Sequence, residues 1–191
     1  MKILPVKLLE TERLELQPLT MKHCEGYTTH FVDYEVVRHL STAVPWPYPE
    51  DGVREFIEQV VLPGQGKSRW DWAICLKDNN LEVIGSVGLL EPTQSLNRGF
   101  WLGRPFWGRG FMSEATHAVN QFAFEELGFE ELKLSNALGN TRSRKVKQRR
   151  GAEFLGTVES TFVDPSYTHA ERWRLTRQHW EAYLKECETC S

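Results

Sequence analysis

Arg104-Pro105-Phe106-Trp107-Gly108-Arg109-Gly110-Phe111-Met112-Ser113-Glu114-Ala115 is the stretch whose reading decides the fold. Before it, Phe100-Trp101-Leu102 is apolar and aromatic, as a central strand requires. After it, Ala115, Val119, Phe122 and Ala123 recur at helical spacing, which predicts one long helix from Phe111 to Leu127. A strand therefore enters a Gly-x-Gly turn that opens a helix. The first N–H groups of such a helix have no partner within it and share the positive end of the helix dipole. Glycines let an anion come close to that backbone, so the turn is suited to a diphosphate. The same residues also suit a tight turn with a packed Trp107, because Gly-x-Gly alone is common. A P-loop is excluded, since no Gly-Lys-Ser/Thr follows Gly110. A dinucleotide fingerprint is excluded too, because Ser113 stands where a third glycine is needed and no acidic partner follows.

Outward from this stretch the pattern is consistent. Arg13 to Gln17 alternates as a first strand ending at Pro18, and Thr20 is placed to cap a helix containing His23 and Glu25. A short helix is expected over Asp33 to Leu40, then a proline-stiffened loop, residues 43–49, presenting Trp46 and Tyr48, then a helix from Glu50 to Leu62. Trp70 to Leu76 and Val83 to Leu90 form a hairpin around Asp78-Asn79-Asn80. Leu132 to Ser135 is a strand, Thr141 to Arg150 a helix stopped at Gly151, and Ala152 to Glu159 and Ala170 to Thr176 two closing strands. A last helix covers Arg177 to Glu186. The sum is a mixed α/β fold of about seven strands, a central, mostly antiparallel twisted sheet flanked by helices.

At 191 residues, 40% hydrophobic and 26% charged, the chain suits one soluble domain over 1–191, with a core at about 9–176 and a C-terminal helix and tail at 177–191. A net charge of −3 argues against nucleic acid or an anionic membrane as partner. No signal peptide or membrane span is read, so a cytoplasmic protein, monomer or homodimer, is expected. The six histidines lack metal spacing, and no metal is predicted. Cys24 and Cys75 read as small core residues, and Cys187-x-x-Cys190 as a frayed tail without a second ligand pair. The cluster Arg142, Arg144, Lys145, Lys147, Arg149 and Arg150 reads as a solvated helix face with one or two contacts to a ligand phosphate.

Gly99-Phe100-Trp101-Leu102, Trp107-Gly108-Arg109-Gly110-Phe111-Met112-Ser113-Glu114-Ala115 and Asn140-Thr141-Arg142-Ser143-Arg144-Lys145-Val146 together resemble the GCN5-related N-acetyltransferases (GNAT). Within that family the sequence looks most like the ribosomal-protein alanine and serine N-acetyltransferases, RimJ/RimL-like, to which the opening Thr11-Glu12-Arg13-Leu14-Glu15-Leu16 is also typical. The resemblance implies an enzyme that moves an acetyl group from acetyl-CoA to a primary amine by direct attack. The N-terminal amine of a protein such as a ribosomal protein is the first expectation for the acceptor. A small amine, or a non-catalytic acyl-CoA-sensing module, is the alternative.

The resemblance also implies roles. The backbone of Trp101, Leu102 and Gly103 would hold the pantetheine arm, with an N–H near Leu102 polarising the thioester carbonyl. Gly108, Arg109, Gly110, Phe111, Met112 and Ser113, with Trp107 beside them, would hold the pyrophosphate. Asn140 would bond the pantetheine arm while capping its helix, and Ser143 would protonate the departing thiolate. Apart from the resemblance, the bulk of Trp46, Tyr48 and Trp107 suits them to wall the acceptor cleft. Two departures stand out: Pro105 replaces the usual Gln or Arg before the first glycine, and Arg98 stands where the subfamily often has Glu. The base is then open; Glu91 is the candidate, and an α-amine near pKa 8 needs little help.

Overall fold

Strand β3, Arg69–Leu76, organises what surrounds it. Trp70, Trp72 and Ile74 face one way and Ala73 and Cys75 the other, as a period of two dictates, and none is more than 1% exposed. A strand buried on both faces must be central. It pairs antiparallel with β2 (Leu14–Pro18) and β4 (Val83–Leu90). With β1 (Leu9–Glu10) and β5 (Arg98–Leu102) they form a sheet ordered β1-β2-β3-β4-β5. A second antiparallel sheet runs β6 (Glu131–Ala137), β8 (His169–Thr176), β7 (Glu153–Glu159). The structure, a computed structural model, describes residues 4–189. The expected strands are present in the expected order, with the two-residue β1 added and the sheet divided in two.

Each face has its own cover. Over Trp70, Trp72 and Ile74 lies α5 (Phe111–Gln121), contributing Phe111, Met112, Ala115 and Val119 and continuing as a π-helical turn, Phe122–Glu126. The predicted single helix thus holds to its length with a wider last turn. Over Ala73 and Cys75 lie α1 (Cys24–Phe31), α2 (Tyr34–Val37) and a longer helical run. That run is α3 (Gly52–Glu55), a π segment Phe56–Val61 and α4 (Leu62–Gly64). Helix α2 starts where predicted, capped by Asp33, whose carboxylate accepts the Glu35 N–H at 2.9 Å, but it ends at Val37 and the chain turns over residues 38–40. Helix α6 spans Thr141–Gln148, and α7, Arg177–Thr189, is more than a tail. Trp180 is 1% exposed and stacks between Phe124 and Tyr183. Cys75 is buried as expected and Cys24 half-buried; Cys187 is exposed on α7, and Cys190 lies outside the described residues.

The two sheets meet at Asn97, a fully buried side chain just before β5. Its backbone N–H donates to Lys133 O at 3.1 Å and its Oδ1 accepts the Lys133 N–H at 2.7 Å. Its Nδ2 donates to Glu131 O at 3.3 Å. One side chain thus takes the place of the next rung of a ladder, and β5 and β6 form no further ladder beyond it. They diverge, and the site lies in the gap.

His23, 4% exposed, fastens the entry to α1. The Thr20 N–H donates to Nδ1 at 3.1 Å, which leaves Nε2 to donate to Gln17 Oε1 at 3.2 Å. Burial, aided by Lys22, lowers its pKa from 6.5 to about 4. Between those values the unfolded chain binds a proton that the folded chain refuses, so stability is lost as pH falls through this window. The slope at this one group is at most ~1.4 kcal/mol per pH unit. We expect His23→Gln, which keeps a side-chain acceptor for Thr20, to be less acid-sensitive than the natural chain. Urea midpoints measured at about pH 7 and about pH 5 test this; equal acid losses in the two proteins would contradict it.

Candidate active site

Beyond Asn97 the diverging sheets enclose a cleft of about 750 Å³. Its walls are β5, the first turn of α5, the start of α6, the end of β6 and the segment around His39. This volume is in the range of small-molecule sites.

One wall is an open strand edge. Gly103 N–H donates to Ile84 O at 2.8 Å and Leu90 N–H to Asn97 O at 2.9 Å. Antiparallel alternation then turns the carbonyl of Asn97, the backbone groups of 99 and 101 and the N–H of Gly103 toward β4, and the groups of Arg98, Phe100 and Leu102 outward. Of the three residues expected to present backbone, Leu102 alone does so; Trp101 spends its groups inside the sheet, and Gly103 gives its N–H to Ile84 O and its carbonyl to the Phe106 N–H. The Leu102 carbonyl is taken by the Trp107 indole N–H at 2.7 Å, which leaves its N–H facing the gap. Trp107 is held on its other side by the Arg142 guanidinium, 3.9 Å from the ring centroid.

The glycine turn forms the floor. Gly108 has φ +77° and Gly110 φ +82°, left-handed conformations that suit glycine. A Cβ at Gly108 would meet nothing within 4 Å, so backbone angle and not crowding sets that residue type. Gly110 offers no side-chain cap, and the N–H groups that open α5 have no intrahelical acceptor. The carboxylate of Glu114, which could have folded back on them, is held elsewhere. It accepts from the Thr11 hydroxyl, the Arg13 N–H at 2.8 Å and Arg13 Nε at 2.7 Å. Burial alone would raise its pKa; these three donors outweigh that and lower it. Arg13 Nη1 also donates to Arg109 O at 3.0 Å, fixing the middle of the turn.

The facing wall is α6. Asn140 is its N-cap, with Oδ1 accepting the Ser143 N–H at 3.1 Å. Ser143 lines the cleft, and its Oγ accepts from Lys147 Nζ at 2.6 Å. The reading of this basic cluster as a solvated face with one or two phosphate contacts fails at Lys147, which is 2% exposed and points inward. Burial and the nearby Arg98 push its pKa well below that of an ordinary lysine, with Glu171 acting in the opposite sense. Arg98 is buried as well, donating Nη1 to Asn120 Oδ1 at 2.7 Å. Burial, then Arg150, lowers its pKa to about 9.

Other expected site residues lie elsewhere. The Arg109 side chain is exposed and rests on Phe111, with its guanidinium 4.8 Å from the ring centroid. Glu91 is not among the cleft-lining residues; its carboxylate accepts from Gln94 and its N–H donates to Ser68 O. Tyr48 packs edge-on against Phe31, and Trp46, 41% exposed, lies against Tyr34; neither lines the cleft. Among the described residues no carboxylate and no cysteine lines it. What does line it, unforeseen, is His39. Burial, with Arg142 and Arg38, lowers its pKa, so the ring is neutral near pH 7. A lone histidine gives no sequence signal. Lys147 did carry one, since it lies four residues from Ser143 and so on the same helix face.

Among the described residues no group of three or more His, Cys, Asp or Glu could hold a metal ion, and no helix is long and apolar enough to cross a membrane. Residues 13–153 match the acetyltransferase (GNAT) domain family. The uncharacterized N-acetyltransferase p20 of Bacillus licheniformis is 28% identical over 148 residues, 74% of this chain and 79% of that protein. FsC-acetyl coenzyme A-N(2)-transacetylase of Aspergillus fumigatus is 27% identical over 194 residues, covering 96% of this chain and 82% of its own length. RimL, a ribosomal L7/L12 alpha-N-protein acetyltransferase solved in complex with coenzyme A, shares the fold at a TM-score of 0.74 and 16% identity, with coverage of 89% of this chain and 98% of that one. With nearly three-quarters of its length matched by the family, this chain belongs to the GNAT acetyltransferases and is an acetyl-CoA-dependent N-acetyltransferase.

Proposed function

We propose that this chain moves the acetyl group of acetyl-CoA directly to the N-terminal amine of a protein, a ribosomal protein being the first example to try, and that it does so as one domain. One observation carries the reading: an open strand edge at Leu102, an uncapped helix start at Gly110 and a hydroxyl at Ser143 line a single cleft. These fit the three parts of acetyl-CoA. The amide-rich pantetheine arm suits a strand edge, the pyrophosphate suits the α5 N-terminus, and the thioester suits a cleft holding a hydroxyl.

Acetyl-CoA supplies an acetyl group activated as a thioester. Leu102 N–H faces the gap and donates to the thioester carbonyl oxygen, stabilising the charge that develops on it. The N–H groups of residues 110–113 receive the pyrophosphate, while Arg13 and Glu114 keep the turn in shape. Asn140 keeps α6 capped and its amide beside the pantetheine arm. Ser143 donates its proton to the sulfur as the carbon–sulfur bond breaks. The entering amine loses a proton to His39, which is neutral and lines the cleft, or to water. His39 replaces Glu91 in this role because Glu91 is outside the cleft. Direct attack is favoured over an acyl-cysteine route, since Cys75 is buried with a thiol pushed up by burial to about 11.

The acceptor has a second reading. The Aspergillus relative, alike over nearly the whole chain, is named an FsC N(2)-transacetylase and not for a protein N-terminus, so a small amine is the second acceptor to try. Free-thiol release from acetyl-CoA, followed across matched panels of N-terminal peptides and small amines, separates the two. Turnover of peptides at least tenfold faster in kcat/KM than of any small amine supports the first reading, and the reverse order supports the second.

Two variants test the residue roles. Ser143→Ala is expected to lower kcat by about 10²-fold, in the range of general acid catalysis, with KM for acetyl-CoA little changed. An unchanged kcat would remove Ser143 from the reaction. Gly110→Ala forces a left-handed alanine and is expected to cost about 1–2 kcal/mol of stability and to weaken coenzyme A binding. Urea unfolding and calorimetric titration with coenzyme A measure the two effects.

A further inference from the structure

Two buried cations beside Ser143 need an explanation that packing does not give. Lys147, on α6, is 2% exposed, and Arg98, on β5, is 6% exposed. Taking a charge out of water is costly unless an opposite charge meets it. Neither forms an ion pair among the described residues. Glu171 is the carboxylate facing Lys147 from β8, but its oxygens are held by Arg144 and by Asn136 Nδ2 at 2.8 Å. Arg98 has one hydrogen bond, to the neutral Asn120, while its Nε and Nη2 have no partner among the described residues; the same is true of Arg150 Nε. Both cations lie over the Phe100 ring, Arg98 at 5.9 Å and Lys147 at 5.4 Å from its centroid, and both line the cleft. A buried positive site of this kind is organised for a negative charge that arises during a reaction.

We propose that Lys147 and Arg98 are the charge and proton reserve for the departing coenzyme A thiolate, acting through Ser143. This rests on Ser143 being the hydroxyl that meets the sulfur. Lys147 Nζ donates to Ser143 Oγ at 2.6 Å and to Ser143 O at 3.3 Å. Because Oγ is accepting, the hydroxyl hydrogen is turned away from Lys147 and is free to be given to the sulfur. The amine nitrogen bonds the acetyl carbon, the carbon–sulfur bond breaks and its electron pair stays on sulfur. Ser143 gives that sulfur its proton and takes one from the Lys147 ammonium. Lys147 is left neutral and regains a proton from solvent, which has received the one lost by the amine. Arg98, still charged near neutral pH, keeps the region positive while Lys147 is neutral. A lysine held below its ordinary pKa is a readier donor near neutral pH than one in water.

The test uses the full chain with coenzyme A bound and follows the thiolate by its ultraviolet absorbance. The charged side chains lining the cleft are Lys147, Arg98, Arg142, Lys145, Arg149 and Arg172, with His39 among them and Glu171 held by Arg144. We expect the bound thiol to hold about tenfold more thiolate than free coenzyme A at one pH, since a nearby positive charge lowers a thiol pKa by a unit or more. Lys147→Met and Arg98→Met should each take away most of that difference, with coenzyme A affinity changed less than about threefold and the thermal midpoint equal to the natural chain's or higher. A merely structural role would lower the midpoint and leave the thiol alone. Arg98→Met keeps the question answerable should Lys147→Met not fold. A bound thiol that titrates like the free one overturns the proposal; if Ser143→Ala still lowers kcat, the reading of Ser143 survives. If Ser143→Ala leaves both kcat and the thiol unchanged, that reading falls and the proposal falls with it.

Discussion

The structure depends on a join made by one side chain. Asn97 supplies both donor and acceptor to β6, so the two sheets are tied at a single point and are free to separate past it. A continuous ladder between β5 and β6 would have consumed the outward groups of Phe100 and Leu102 and left no gap. A join weaker than these three hydrogen bonds, two from the buried side chain and one from its backbone N–H, would have left two sheets with no fixed angle. The cleft, its open strand edge and the approach of α6 to α5 all follow from where the pairing stops.

How much of this could be read from sequence depends on the kind of signal. The alternation in Trp70 to Leu76 and the helical spacing of Ala115, Val119 and Phe122 are periodic, and the elements they predict are present. The Gly-x-Gly turn was legible as an anion-holding helix start, and the capping of α6 by Asn140 follows from residue type alone. Long-range contacts were not legible. That Glu114 would be gripped by Thr11 and Arg13 depends on β2 lying beside α5, which no local pattern states. Trp46 and Tyr48 looked like walls of the cleft because they sit on a stiff loop, but that loop lies on the α1 side, where Phe31 and Tyr34 take them up.

The misreading of Lys147 is the most instructive. Six basic residues on a short helix look alike in sequence, and the default for such a helix is water. Burial was decided by where α6 lands on β5, and β5 places Arg98 and Phe100 beneath it. The departure at Arg98, where the subfamily often has Glu, and the burial of Lys147 are thus two sides of one fact. This wall of the cleft is cationic, and Lys147 sits behind the serine.

The grip of Thr11 and Arg13 on Glu114 spans 103 and 101 residues of chain. Contacts so distant in sequence form late in folding, after local helices and hairpins are in place, because the loop they close is long. The glycine turn and its helix can form from neighbouring residues, but the turn's carbonyl at Arg109 is fixed only once the first long strand has been seated beside it. Made at the ribosome, the strand comes first and waits for a partner that emerges much later. The anion-holding turn is therefore a late product of assembly, and a chain able to grip its donor is one that has already finished joining its beginning to its middle.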